Sequence, residues 1–480
     1  MKDKFTAMAR KKANIDFSPD KLRGEMNFGN HSFGIGGIHS MPMPDKVVSG
    51  MKRLKPKLAR IFIQEFFYIY DGETLDFTKL DAYMKAVSDT GADVMASICI
   101  KPYALYPTVD ETVWRPNDVE KWQWVIYEMV KRYSVDFSYV THWGVGNEMN
   151  IGEFGGCPYK VNDVGDYYEY YKMTTDAILR AFSSAKVGGP SFAGASDETF
   201  GFFDKFLLMC KKDGTQVDFV SYNIYSDSAH YHADSAAKAA AIAKKYGDDI
   251  QVYVTEMNIG IGGEVSLEEK AYSAKRAAGL ASIILEYQKR APEVGTFQYH
   301  IYDQFCDPDE FAPFYARHRY MANHWNDEPH RLGLFDLGGR ARPQYYMYAM
   351  LGEMAGNEAA AVIEDGDVKI AASSGDDGKK MRLFLTNYNE NESADTVVSL
   401  YFKGAPRGKA RLTVRRIDDD CYDETRRHDE TRRYDETRRH DGESLSVTPS
   451  EDRVTYLHED FWFSVFVPAD SCALISIDMI

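Results

Sequence analysis

Two carboxylates in this chain are placed to do chemistry together. Glu148 lies in His142–Asn150, HWGVGNEMN, where the apolar and aromatic residues of a buried strand turn abruptly polar and set an amide, Asn147, beside the carboxyl. Glu256 lies in Val252–Asn258, VYVTEMN, where a second apolar run delivers a second carboxyl. Either glutamate alone reads as an exposed strand-end residue or a helix first-turn residue, and Asn-Glu dipeptides occur in many surface turns. The pair is more informative, because both follow apolar strands and both have asparagine neighbours, Asn147, Asn150 and Asn258. Two carboxyls at one mouth are what cleavage of a glycosidic bond requires: one protonates the departing oxygen, and the other attacks the anomeric carbon or activates water. Their separation would choose between these outcomes, about 5–5.5 Å for retention and roughly 6.5–9.5 Å for inversion.

The elements that must position this pair alternate along the chain. Apolar strands are read at 32–40, 58–70, 92–102, up to Glu148, at 186–194, 217–226, 252–258 and 295–305, with amphipathic helices between them. Eight such strands separated by helices, joined by right-handed crossovers, predict an α/β fold, a closed (β/α)8 TIM barrel. Chemistry in such a barrel sits where the strands end, so Glu148 on the fourth strand and Glu256 on the seventh can meet across the opening. Arg60 falls inside the second strand, where a guanidinium is costly unless paired, and so calls for a buried carboxylate partner. His39 closes the first strand. The Gly pairs Gly36–Gly37 and Gly188–Gly189 read as tight strand ends, not as a phosphate cradle, and there is no Ser-His-Asp elbow. With no His/Asp cluster at ligand spacing, no metal and no cofactor is expected.

Near residue 350 the pattern changes to short strands joined by polar turns, which predicts a C-terminal β-sandwich. The expected division is 1–18 as a tail or a strand joining the sandwich, 19–350 as the catalytic barrel, and 351–480 as the sandwich. Residues 11–18, KKANIDFS, carry a short alternation that suits an edge strand or a tail. Inside the sandwich, Tyr422–Gly442 repeats YDETRR and HDETRR with a period of six, each unit carrying two acids and two arginines. That neutral polar repeat is best read as a solvated hairpin tip or disordered loop, with metal binding through His428 and His440 outweighed.

Composition narrows the partners. A net charge of −16 argues against nucleic acid or an anionic membrane as the main partner, since both demand clustered positive charge. The N-terminus lacks the apolar run of a secretory signal, no stretch reaches membrane-spanning length, and the six cysteines form no CxxC spacing or short disulfide framework. A cytoplasmic protein with free thiols is expected, acting on a small carbohydrate or glycoside; a homo-oligomer is left open. The aromatic content of 14% suits stacking against sugar rings, although most of these rings must simply pack.

On these motifs the chain resembles a glycoside hydrolase of clan A, most closely family 39, the group of β-xylosidases and α-L-iduronidases. The resemblance spans roughly the barrel and the start of the sandwich. It rests on GNEMN at 146–150, where the family has Asn-Glu-Pro-Asn, and on KVGGPSFAG at 186–194, DFVSYNIYS at 218–226, VTEMN at 254–258 and RLGLFDLGGRARPQYYMYAML at 331–351. It implies retaining double displacement, with Glu148 as general acid/base, Glu256 as nucleophile and Asn147 hydrogen-bonding the sugar 2-hydroxyl. Arg60 resembles the clan's arginine that holds the nucleophile ionised. His39 matches a sugar-contacting histidine, and Tyr225 a tyrosine near the nucleophile. Asn223 stands where the family has a sugar-contacting histidine, His300 where it has a tryptophan platform, Met149 where it has proline, and Gly146 and Met257 where tryptophan is usual. These departures keep the two glutamates and alter the walls of the sugar subsite, so the sugar could be xylose, another pentose, a hexose or an iduronide. A non-catalytic carbohydrate-binding barrel is the alternative of another class, disfavoured by retention of both glutamates and Asn147.

Overall fold

The computed structural model of the chain describes residues 8–26, 28, 31–36, 41–64, 69–260, 273–326, 331–354, 356–364, 366–375, 377–418, 447, 449–459 and 461–480. His39 and the DETRR repeat lie outside the described residues.

Eight parallel strands close into a barrel: β2 (His31–Ile35), β3 (Leu58–Gln64), β4 (Asp93–Cys99), β5 (Val140–Val145), β6 (Lys186–Ala193), β7 (Phe219–Tyr225), β8 (Gln251–Asn258) and β9 (Gly295–Tyr299). Their near-continuous apolar sequences suit strands covered on both faces, and β4 is buried from Val94 through Cys99. Helices follow the strands and several start on side-chain caps. Asp118 accepts from Lys121 N, Asp163 from Gly165 N, Ser196 from Thr199 N and Ser228 from Tyr231 N. Each such cap is worth about 1 kcal/mol. All four lie on strand-to-helix connections, so they also anchor the loops around the mouth. The opposite end of the barrel is plugged by Leu58, Met95, Phe219 and Phe297 with Tyr253 against them. His142 packs against this plug, 6.2 Å from the Phe219 ring and 6.1 Å from Tyr253, and burial pushes its pKa down to about 4. The histidine that opens the HWGVGNEMN segment is therefore a half-buried packing residue at the far end of the barrel.

The remaining strands form one nine-stranded sheet in the order β15-β14-β17-β12-β11-β10-β1-β13-β16. Its strands are β1 (Ala9–Asp16), β10 (Asn357–Ile363), β11 (Val368–Ser374), β12 (Lys380–Asn387), β13 (Thr396–Lys403), β14 (Gly408–Ile417), β15 (Pro449–Leu457), β16 (Trp462–Val467) and β17 (Ser471–Met479). β10 pairs with β11 at its start and with β1 at its end, which turns the corner between two layers. The far end then folds back so that β16 meets β12 and β17 around Ile15, Leu383, Leu400, Leu412 and Ile475. β1 is not an edge strand: it runs inside the sheet, antiparallel to β10 and parallel to β13. Alternation alone cannot distinguish an edge from a centre, because pairing partners far along the chain decide it.

The sandwich rests on the barrel helix Ala274–Arg290, which packs against β11, β12 and β17. Phe384, Tyr388, Ile417, Cys472 and Leu474 join the barrel's core cluster, and Thr386 Oγ1 donates to Ala278 O at 2.9 Å. A shared apolar interface of this kind holds the barrel scaffold behind the site.

Candidate active site

The strand that leads to Glu148 ends at Val145, and Glu148 sits in the turn three residues beyond it. That turn is tight. Gly146 has φ +84° and Glu148 φ +47°, a left-handed conformation that costs a non-glycine residue on the order of 1–3 kcal/mol. Surrounding contacts enforce it: Glu148 N donates to Ser191 O at 2.9 Å, and Asn150 exchanges two 3.0 Å hydrogen bonds with Ala193 at the end of β6. A side chain at Gly146 would run into the Met149 sulfur, so the two departures from the family pattern are one packing solution, with the buried Met149 filling the space beside the glycine. The loop then returns in a short turn, Gly152–Gly155, whose last residue lies flat on Glu148; a Cβ there would overlap the carboxylate.

Arg60, fully buried on β3, organises the floor. Its Nε donates to Ser97 Oγ at 3.1 Å, Nη1 to Glu256 Oε1 at 3.1 Å and to Thr255 O at 3.3 Å, and Nη2 to Asn147 Oδ1 at 2.6 Å. Phe62 lies beneath the guanidinium, 4.3 Å from ring centroid to Cζ. The buried arginine thus meets its carboxylate, and one group links Glu256 to the residue next to Glu148. Tyr225 donates its hydroxyl to Glu256 Oε2 at 2.7 Å, so each oxygen of that carboxylate receives a hydrogen bond. Asn223 receives a 2.8 Å hydrogen bond from Thr255 Oγ1 on its Oδ1, which aims its Nδ2 at Glu148 Oε1, 2.8 Å away.

Both glutamates are almost enclosed, 8% and 6% exposed. Burial drives the Glu148 pKa well above the usual carboxyl value, the negative charge of Glu256 pushes it further, and the Asn223 amide only partly opposes this. Burial also raises Glu256, but the Arg60 charge and the hydrogen bonds from Tyr225 and Arg60 pull it back. The two environments therefore separate a carboxyl that keeps its proton from one that loses it first.

His300, next to the end of β9, is buried and stacks on Tyr299 with ring centroids 4.7 Å apart. Its Nε2 lies 3.5 Å from Asp303 Oδ1. Asp303 in turn is gripped by Arg342 through 3.1 and 2.6 Å bonds and by Gly333 N at 2.9 Å. Burial opposes ionisation of Asp303, yet the His300 hydrogen bond and the Arg342 charge hold it below the usual carboxylate range. Among the residues singled out from the sequence, Arg60, Asn147, Glu148, Asn223, Tyr225 and Glu256 form one connected hydrogen-bond cluster, with His300 at its side. Sequence reasoning missed Ser97, Thr255, Gly155 and the Asp303–Arg342 pair. The RARP stretch of the 331–351 motif was a visible signal, but it does not name the atom it touches.

Comparison with known proteins supplies the family. The model of glycosyl hydrolases family 39 matches residues 68–430. The chain belongs to that family. Similar proteins include a β-xylosidase of Caldicellulosiruptor saccharolyticus, 21% identical over 374 residues that span 72% of this chain and 70% of that protein. A β-xylosidase of Geobacillus stearothermophilus is 30% identical over 118 residues, 24% of this chain and only 22% of the length of that protein. The crystal structure of a monomeric β-xylosidase from Caulobacter crescentus CB15 superposes with a TM-score of 0.74 at 17% identity, covering 98% of this chain and 100% of that one, a likeness of fold. Among the described residues no helix is long and apolar enough to cross a membrane.

Proposed function

We propose that this family 39 chain is a retaining, β-xylosidase-like exo-glycosidase in which Glu148 is the general acid/base and Glu256 the nucleophile. The observation that carries the assignment is the unequal hydrogen bonding of the two buried carboxylates. Glu256, with Arg60 and Tyr225 on its two oxygens, is the anion suited to attack the anomeric carbon. Glu148, facing one neutral amide, keeps the proton that the leaving oxygen needs. After the glycosyl-enzyme forms, Glu148 is the base that activates water. Asn147 has its oxygen taken by Arg60, while its Nδ2 makes only a long 3.4 Å contact with Gly155 O, and that NH2 is the donor assigned to the sugar 2-hydroxyl. Asn223, Tyr225, His300 and His39 complete the sugar-contacting set in this reading.

Xylose is the first substrate to test because the two relatives named above carry that activity in their names. Action in the cytoplasm on small glycosides is part of the same proposal, supported by five buried, unbridged cysteines, Cys99, Cys157, Cys210, Cys306 and Cys472. The decisive measurement is time-resolved NMR of the first sugar released from an aryl β-xyloside. Retention delivers the β-anomer first; an α-anomer appearing first overturns the nucleophile assigned to Glu256. An aryl glycoside screen over arabinose, glucose, galactose and mannose in the same assay reads the specificity.

A further inference from the structure

The strand that delivers Glu256 carries one residue too many for its neighbour. β7 and β8 pair Tyr222 with Val254 and then Asn223 with Glu256, so Thr255 is the extra residue of a β-bulge. In a regular strand, successive side chains point to opposite faces. Here Thr255 and Glu256 reach the same cluster. The Thr255 hydroxyl donates to Asn223 Oδ1 at 2.8 Å, while Glu256 accepts from Arg60 at 3.1 Å and from Tyr225 at 2.7 Å.

Thr255 is fully buried in an apolar run, VYVTEMN, where valine would fill the same volume. Its hydroxyl has a second acceptor in the carbonyl of Tyr222, but at 3.3 Å, so the shorter bond goes to Asn223. The amide is thereby oriented. With Oδ1 engaged by Thr255, Asn223 Nδ2 donates to Glu148 Oε1 at 2.8 Å and lies 3.4 Å from Asn147 Oδ1, an oxygen that Arg60 fixes as an acceptor. Reversing the amide would set oxygen against oxygen at Asn147 and at an ionised Glu148.

We propose that Thr255 is a positioning residue for the acid/base: by anchoring Oδ1 of Asn223 it keeps the amide a donor to Glu148, and so supports the carboxylate that the second half of the reaction needs. In that half, the oxygen of water bonds the anomeric carbon, the bond to Glu256 breaks, and the water proton passes to Glu148. Burial and the Glu256 charge favour protonated Glu148, which suits the first half; the anchored amide and the Arg60 charge oppose them. The charged and titratable groups facing Glu148 are Glu256 on β8, Arg60 on β3, Tyr225 on β7 and Tyr299 on β9, and a change at Thr255 removes none of them. This inference rests on the role given to Glu148.

Thr255→Val keeps the volume and deletes the hydroxyl. With 2,4-dinitrophenyl β-xyloside, whose leaving group departs with little help from an acid, stopped-flow release of dinitrophenolate separates formation of the glycosyl-enzyme from its hydrolysis. Formation should stay within about 2-fold of wild type, because it draws little on Glu148. Hydrolysis, measured on the acid side of its profile, should fall about 5- to 10-fold, the range expected for one hydrogen bond. For β-1,4-xylobiose, which needs the acid, the alkaline limb of kcat/KM should move up by as much as about one pH unit with the acid limb fixed. Thr255→Ser keeps the hydroxyl and should restore both readings; Thr255→Ala replaces the valine variant should that one fail to fold. Equal falls in formation and hydrolysis, an unmoved alkaline limb, or a serine variant as impaired as the valine one overturns the inference. Glu148→Ala is measured alongside. Unchanged hydrolysis in that variant overturns the acid/base role itself, so the two failures are told apart.

Discussion

Tyr225→Phe removes one hydrogen bond from Glu256 and leaves nearly everything else in place. The ring keeps its volume, Arg60 still donates to Oε1 at 3.1 Å, and only the 2.7 Å bond to Oε2 is lost. A hydrogen bond to a charged group is worth about 1.5–3 kcal/mol, and at about 1.4 kcal/mol per factor of ten its removal disfavours the ionised nucleophile by roughly 10- to 150-fold. The sign follows from which form the tyrosine favours. Its hydroxyl donates to the carboxylate, so without it Glu256 holds its proton to higher pH, and the acid limb of the kcat/KM profile must move upward. The fall in kcat/KM should therefore be largest on the acid side, about one to two orders of magnitude, and shrink as pH rises. The assay is kcat/KM for an aryl β-xyloside between about pH 4 and 9, with the ordinary unfolded carboxyl range at its lower end. A loss equal at every pH, or a shift of the alkaline limb with the acid limb fixed, would refute the pairing of Tyr225 with an ionised nucleophile.

Three further substitutions follow from the same geometry. Glu148 holds its proton more tightly folded than unfolded, so its contribution to stability is fully present below the ordinary glutamate value of 4.5 and is lost as pH rises through the higher folded value. Glu148→Gln should therefore raise Tm near neutral pH and lose that advantage towards pH 4, read by calorimetry, while kcat falls most for poor leaving groups; a lower Tm at every pH would count against a protonated Glu148. Gly155→Ala pushes a methyl into the Glu148 carboxylate and should cost about 1–3 kcal/mol in a urea melt together with a kcat loss, whereas an unchanged kcat would mean that the Gly152–Gly155 turn does not position the acid. Arg342→Leu strands Asp303 in the core and should cost about 3–5 kcal/mol, the Arg342→Leu/Asp303→Leu double variant recovering much of it; additive losses would show that the pair is not coupled.

Much of the site was legible because strand ends in a barrel inherit their place from chain order. Apolar runs such as Val94–Ile98 and Val252–Val254 announce strands by composition, and the polar residues that end them, Asn147, Glu148, Asn223, Tyr225 and Glu256, are carried to one rim by the closed ring. The sandwich was less legible. β10 is rich in alanine and β15, PSEDRVTYL, is mostly charged and exposed, so neither carries a β pattern strong enough to read alone. β1 alternates clearly, yet its central position depends on pairing with β13 nearly 400 residues away.

The sequence by itself determined the pair of carboxylates, the barrel that presents them and the need of Arg60 for a buried partner, because these follow from local composition, periodicity and the cost of an unpaired charge. Only the tertiary structure decided that Arg60 serves Glu256 and Asn147 at once, that Asn223 faces Glu148, and that Gly146 and Met149 share one space. It alone brought Phe154 to Tyr320. Each of these is a contact between segments distant in the chain, set by how closed layers pack and hidden from any window read along the sequence.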